Sequence, residues 1–390
     1  MEGDFIKINE WLLPLSWFYG LGVKFRNFLF EVGILKSHAY KVPVISVGNI
    51  TVGGTGKTPH VEYLIRIMKD NMRVAVVSRG YKRKSKGFVQ ADADTPMSMI
   101  GDEPYQMKQK FPNITMAVDS KRCRAIELLT NDNKNPIDAI LLDDAFQHRH
   151  VKPGINILLV DYHRLIIYDK LLPAGRLREP MKGKNRADIV IVTKCPKELK
   201  PMEFRVITKA MSLFPYQKLY FTTLKYEALR PVFPKECPAE TVSQLDKQNV
   251  LLLTGIASPR QMSEDLKSQV RSITPMTFSD HHVFKPKDIR KLNETFEAMN
   301  EPKLIITTEK DATRLTTKEG LSEEVRKHLY VMPIRIHFMQ DQEESFNQNI
   351  LGYVRKNSRN SILVKPKDDH KPKDSNSTGN RPRTISFRNN

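Results

Sequence analysis

The chain has 390 residues, 40% hydrophobic and 27% charged, and its 63 Lys+Arg against 44 Asp+Glu give a formal net charge of +19. That composition fits a soluble globular protein of one large or two ordinary domains rather than a membrane-spanning one, and the charge suits an anionic partner: nucleic acid, an acidic membrane surface or a phosphorylated substrate. Cys123, Cys195 and Cys237 lie far apart without metal spacing, which argues against a disulfide framework or zinc site.

Near the N-terminus, Glu2 and Asp4 do not suit a secretory signal. Trp11 to Val23 is uncharged, but a span takes roughly 20 apolar residues and this stretch has about thirteen. It carries both tryptophans of the chain, and Lys24, Arg26, Phe28, Leu29 and Phe30 follow. Aromatic residues beside basic ones suit a segment lying among lipid headgroups, and equally a helix that packs its apolar face on the domain.

Short apolar runs then recur at Val42–Val47, Val74–Val77, Ala139–Leu142, Ile155–Val160 and Ile189–Val192, with helical patterns such as His60–Met68 and Glu103–Lys110 between them. Strands buried on both faces read this way, so residues 1–217 are expected to form a doubly wound α/β domain around a parallel sheet. A second, smaller α/β domain is expected over 218–345, from Leu219–Thr222, Val250–Leu253, Leu304–Thr307, Leu329–Ile334 and the helical Pro286–Met299. Residues 346–390 form a C-terminal segment that turns polar and basic near Asn357, a composition too poor in apolar residues to order itself. No repeat of 20 to 50 residues is evident.

The first strand runs into ITVGGTGKTP. A phosphate-binding loop reads G-x-x-x-x-G-K-[ST], yet Thr51 stands where its first glycine belongs. The rest is in place. Val52, Gly53, Gly54, Thr55 and Gly56 can turn backbone amides around an anion, and Lys57 reaches terminal phosphates. Thr58 offers a hydroxyl to Mg²⁺, and Pro59 sits in the first helical turn, where its missing N–H costs nothing. Four apolar residues then lead into Asp143-Asp144, at the crevice edge where α/β sheets bind ligands. One of the two carboxylates is expected to hold the metal and the other to orient a neighbour. Asp102-Glu103 begin a helix and would cap it if they served nothing else.

GNITVGGTGKTP, SRGYKRK, GDEP, DDAFQHR, LLPAGRLREP, SDHH and TTEKDA follow one another in an order and spacing that resembles the tetraacyldisaccharide 4′-kinases, the inner-membrane kinases of lipid A biosynthesis. The resemblance runs from the Trp-rich segment to about residue 340; Ala145 replaces the glycine usual after the Asp pair, while the missing first loop glycine is itself a family trait. It implies a P-loop NTPase-like core and transfer of the γ-phosphate of ATP, with Mg²⁺, to the 4′-hydroxyl of a tetraacylated glucosamine disaccharide 1-phosphate, forming lipid IVA. It also implies that Asp102 and His281 together accept the hydroxyl proton. Lys57 and Arg178 would stabilise phosphate charge, the latter because a guanidinium matches phosphate oxygens bidentately. Arg79, Tyr81, Glu103, Gln147 and His148 are candidates for substrate contact, although surface ion pairing would suit the charged ones as well. The expected setting is peripheral, on the cytoplasmic face of the inner membrane, with the protein a monomer that does not bind nucleic acid. A GTPase reading lacks support because VIVTK at 190–194 is followed by Cys195-Pro196, without the aspartate a guanine-reading motif needs.

Overall fold

The computed structural model describes residues 6, 8–237, 245–256, 260–280 and 282–358. The chain opens with helix α1 (Leu13–Glu31) and then lays down β1 (Val44–Gly48), α2 (Lys57–Met68), β2 (Val74–Ser78), β3 (Val89–Ala91), α3 (Met97–Ile100), α4 (Asp102–Lys110) and β4 (Thr115–Val118). Next come α5 (Arg122–Asn131), β5 (Ala139–Asp143), β6 (Ile155–Asp161), β7 (Ile189–Thr193), α6 (Pro201–Met211) and β8 (Lys218–Tyr226). Beyond β8 the chain builds a second sheet from β9 (Arg230–Pro231), β10 (Asn249–Thr254), β11 (Ser272–Thr277), β12 (Lys303–Thr307) and β13 (Leu329–Val331). Its helices are α7 (Arg260–Lys267), α8 (Pro286–Glu297), α9 (Glu309–Leu315) and α10 (Glu323–His328), after which β14 (Ile334–Phe338) and α11 (Glu343–Asn357) follow.

The large sheet runs β14-β8-β7-β6-β1-β5-β2-β4-β3 and is parallel except at its edge strands β3 and β14. β1, β2, β5 and β7 are buried along their whole length, which is why they read as unbroken apolar runs. One face packs against α2, α4 and α11 through Val61, Leu64, Met107, Phe346 and Ile350, the other against α5 and α6 through Ile126 and Ile207. The small sheet, β11-β10-β12-β13-β9, is likewise covered on both faces, by α8 through Leu292 and Phe296 and by α7 through Met262 and Leu266.

The sheets divide the chain differently from the boundary expected at 217. Leu219–Thr222, read as the first strand of the second unit, belongs to β8, which pairs parallel with β7 in the large sheet. The run Leu329–Ile334 splits at Met332-Pro333 into β13 of the small sheet and β14 of the large one. Strand composition does not record which sheet a strand joins; pairing partners decide it. The structure thus inserts one sheet between two adjacent strands of the other, β8 and β14, which pair from Tyr226↔Ile334 to Thr222↔Phe338. Helix α11 then returns Phe346, Ile350 and Val354, spaced four apart on one face, to the core of the large sheet. Each such burial contributes roughly 1.5–3 kcal/mol.

Candidate active site

β1 lies at the centre of its sheet between β5 and β6, so the loop after it opens at a switch in strand order. The missing glycine has a structural reason. Thr51 is buried in an antiparallel bridge to Leu177; Val52 N donates to Arg176 O at 2.8 Å and Arg178 N to Ile50 O at 2.7 Å. The start of the loop is therefore a short extended ladder with LLPAGRLREP, where a side chain is tolerated. Left-handed backbone begins only at Gly53 (φ +125°) and recurs at Gly56 (φ +79°), where glycine is retained. The buried Asn49 donates through Nδ2 to Thr55 Oγ1 at 2.8 Å, and Thr193 Oγ1 from β7 donates to Thr55 O at 3.0 Å, tying the loop to two strands.

The same ladder delivers Arg178. Its Nη1 lies 3.6 Å from Asp144 Oδ2, while Lys57 Nζ lies 3.6 Å from Asp144 Oδ1. Asp144 adopts φ +46°, turning its carboxylate off the strand axis into the mouth of the loop. Asp143 instead points inward: its Oδ2 accepts from Ser78 Oγ at 2.9 Å, and burial, then the neighbouring Asp144, pushes its carboxyl up to about 6. Asp144 Oδ1 is buried without a hydrogen-bond donor among the described residues. A hydroxyl from Thr58, an under-satisfied carboxylate and a second carboxylate behind it form an oxygen donor set that fits Mg²⁺, which takes one or two carboxylates and completes its shell with phosphates and water.

Of the remaining expected residues, Arg79 and Tyr81 are exposed at the exit of β2. The Gln147 side chain donates to Asn49 O at 2.6 Å and so braces the loop's strand rather than Asp144. His148 is pushed down to about 4 by burial first, and then by Arg122, His150, Arg26 and Arg79 around it. Its Nε2 and the Nε of the buried Arg122 lack hydrogen-bond partners among the described residues, a combination suited to an anion. Asp102 and Glu103 begin α4 and meet α9 from the small sheet: Arg314 Nη2 stands 2.6 Å from Asp102 Oδ2 and Lys310 Nζ 3.1 Å from Glu103 Oε1. Lys310 also holds Asp280 Oδ1 at 3.1 Å within its own unit, and its pairing with Glu103 makes the TTEKDA motif part of the contact between the two sheets' units. His281 lies outside the described residues.

Sequence reading passed over Asn49, Arg122, Glu179 and His60. Glu179 is buried with neither carboxylate oxygen hydrogen-bonded among the described residues, Arg186 Nη2 standing 2.9 Å from Oε2. Its place beside Arg178 in a quoted motif was the available signal. His60 is fully enclosed inside α2; its Nδ1 donates to Gly56 O at 2.7 Å and Nε2 accepts from Thr222 Oγ1 at 3.2 Å, so it supports the loop's last glycine from behind. Burial pushes this imidazole down to about 4, with the Gly56 bond opposing. A depressed histidine contributes stability above its unfolded value near 6.5, and that contribution is lost as pH falls towards 4, in all about 3 kcal/mol. Urea unfolding between pH 7 and 4 is expected to show this loss in the wild type and a flatter profile in His60→Gln. Identical pH slopes in the two proteins would remove His60 from the account.

α1 sits beside this site. Ser16 donates to Leu171 O at 2.9 Å and accepts from Ala174 N at 2.9 Å, and Tyr19 donates to Arg178 O at 2.9 Å. These contacts fix one side of the helix on the 171–178 segment. Trp11, in the turn before the helix, is 94% exposed, and Trp17 and Phe18 are 64% and 65% exposed, with Leu21, Phe25 and Phe28 exposed further along.

A family model described as tetraacyldisaccharide-1-P 4′-kinase matches residues 8–355. The tetraacyldisaccharide 4′-kinase of Phocaeicola vulgatus is 58% identical over 364 residues, covering 93% of this chain and 99% of the relative. That of Bacteroides thetaiotaomicron is 52% identical over 381 residues, covering 95% and 100%. Among solved structures, LpxK from Aquifex aeolicus in complex with ATP superposes with a TM-score of 0.68 at 29% identity, covering 89% of this chain and 99% of that one. With the family model matched from the Trp-rich helix to α11, the chain belongs to the tetraacyldisaccharide-1-phosphate 4′-kinase family.

Proposed function

We propose that this chain carries out its family's phosphoryl transfer in the crevice between the P-loop and α4, with the loop, Lys57 and Arg178 receiving the triphosphate of ATP. The observation that carries this reading is the convergence of Lys57 and Arg178 on the two oxygens of Asp144 at the loop's mouth. Thr58, Asp143 and Asp144 would hold Mg²⁺, which when bound neutralises charge on the β- and γ-phosphates. In the transfer the acceptor oxygen bonds to the γ-phosphorus, the bridging P–O bond breaks to release ADP, and the hydroxyl proton passes to Asp102 with His281 as its partner. Arg79, Arg122 and His148 lie close enough to feel one another's charge, and the two guanidiniums would receive the acidic 1-phosphate of the disaccharide, while Glu103 contributes through its pairing with Lys310.

The test is a radiolabelled ATP assay with the lipid disaccharide in detergent, which is expected to yield lipid-linked label only when ATP and acceptor are both present. ATP hydrolysis without labelled lipid would overturn the proposal.

The exposed aromatic face next to the site supports docking on an anionic inner-membrane surface. No helix among the described residues is long and apolar enough to cross a membrane. Changing Trp11, Trp17 and Phe18 to serine is expected to release the protein from anionic liposomes, at roughly 1.5–3 kcal/mol per side chain withdrawn from lipid, with ATP binding kept. Unchanged flotation with the liposomes would refute the docking face.

A further inference from the structure

Arg314 lies in α9, four residues past Lys310, and is 3% exposed. Its Nε and Nη2 both donate to Asp102 Oδ2, at 2.9 and 2.6 Å, and its Nη1 donates to Asp311 Oδ1 at 3.0 Å. Asp311 is wholly buried and accepts from Gly255 N at 2.8 Å and Thr308 Oγ1 at 2.7 Å. The guanidinium thus rests on a rigid base within the small sheet's unit and turns its fork onto a carboxylate of the large one.

We infer that Arg314 is a positioning residue for phosphoryl transfer: it sets the orientation of the Asp102 carboxylate and does so only while α9 is seated on α4. This rests on Asp102 being the proton acceptor. Holding the two units together does not require it, because Lys310 already joins Glu103 and Lys110 joins Glu62 and Glu309, at 2.5 and 2.6 Å. Arg314 differs from those lysines in donating two N–H groups of one rigid plane to the same oxygen, Oδ2, and so fixes the position of that oxygen from two directions. A neighbouring guanidinium disfavours protonation of a carboxylate, so its contribution is geometric. Geometry is the larger effect here, since a misplacement of about 1 Å at a reacting centre costs about 10²-fold in rate. Arg314 itself transfers no proton.

The experiment is a cycle of Arg314→Gln, Asp102→Asn and the double variant in the full chain, with kcat and the KM for ATP measured in the lipid assay. Arg314→Gln is expected to lower kcat by about 10²-fold with little change in the KM for ATP, and to add no further loss to Asp102→Asn. A folded Arg314→Gln with wild-type kcat, or one whose loss multiplies fully with that of Asp102→Asn, would overturn the inference. Should Arg314→Gln fail to fold, Arg314→Lys keeps a charge against Asp311 but loses the fork, and the same cycle is read with it. If Asp102→Asn keeps wild-type kcat, it is the proton-acceptor reading that fails; if that variant is inactive and Arg314→Gln is not, only the role of Arg314 fails.

Discussion

Asp102→Asn is expected to lower kcat by about 10²–10⁴-fold, the range for loss of a positioned general base, with ATP affinity little changed. Carboxylates are weak bases at neutral pH, and coupling one to an imidazole with an unperturbed pKa of about 6.5 brings the pair nearer the operating range. Groups that act as one unit do not contribute additively. His281→Ala and the double variant should therefore show kcat close to that of Asp102→Asn, measured at saturating ATP. Losses that multiply would assign the two residues to separate steps and leave His281 as a substrate contact.

Lys57→Ala is expected to cost at least about 10²-fold in rate, as for removal of one preorganised charge-stabilising contact. Its ammonium stands 3.6 Å from Asp144 and 19% exposed, so charge there acts in a partly desolvated setting. The variant leaves Asp144 with Arg178 as its ion-pair partner among the described residues, and restoring charge as Lys57→Arg should recover little, because the broader guanidinium does not reproduce an ammonium at the end of a flexible stem. Steady-state turnover near wild type in Lys57→Ala would sink the assignment of the loop to nucleotide.

The loop was legible because everything that makes it is local. An unbroken apolar strand, glycines at the two left-handed positions, Lys-Thr and a helix succeed one another within a dozen or so residues. The Asp143-Asp144 pair was legible for the same reason, as a strand end. What escaped the sequence is what depends on distant partners. Thr51 is explained only by its bridge to Leu177, and Arg314 only by Asp102, 212 positions away. His60 reads as an ordinary polar residue of a helix until β8 is seen to cover it. Strand β4, TMAV, carries little signal because Thr115 interrupts the run after Ile114 and leaves only three apolar residues, and β8 reads as part of the other sheet because an apolar run says nothing of its neighbours.

The insertion of one sheet between β8 and β14 also sets an order of events during synthesis. The small sheet draws its strands from one continuous stretch, 230–331, and can close as soon as that stretch is made. The large sheet must wait for β14 and α11, the last described elements, before its edge is covered and Phe346, Ile350 and Val354 fill its core. A chain emerging from the ribosome therefore holds an unfinished P-loop sheet, with β8 exposed as a bare edge, while the younger unit is already complete.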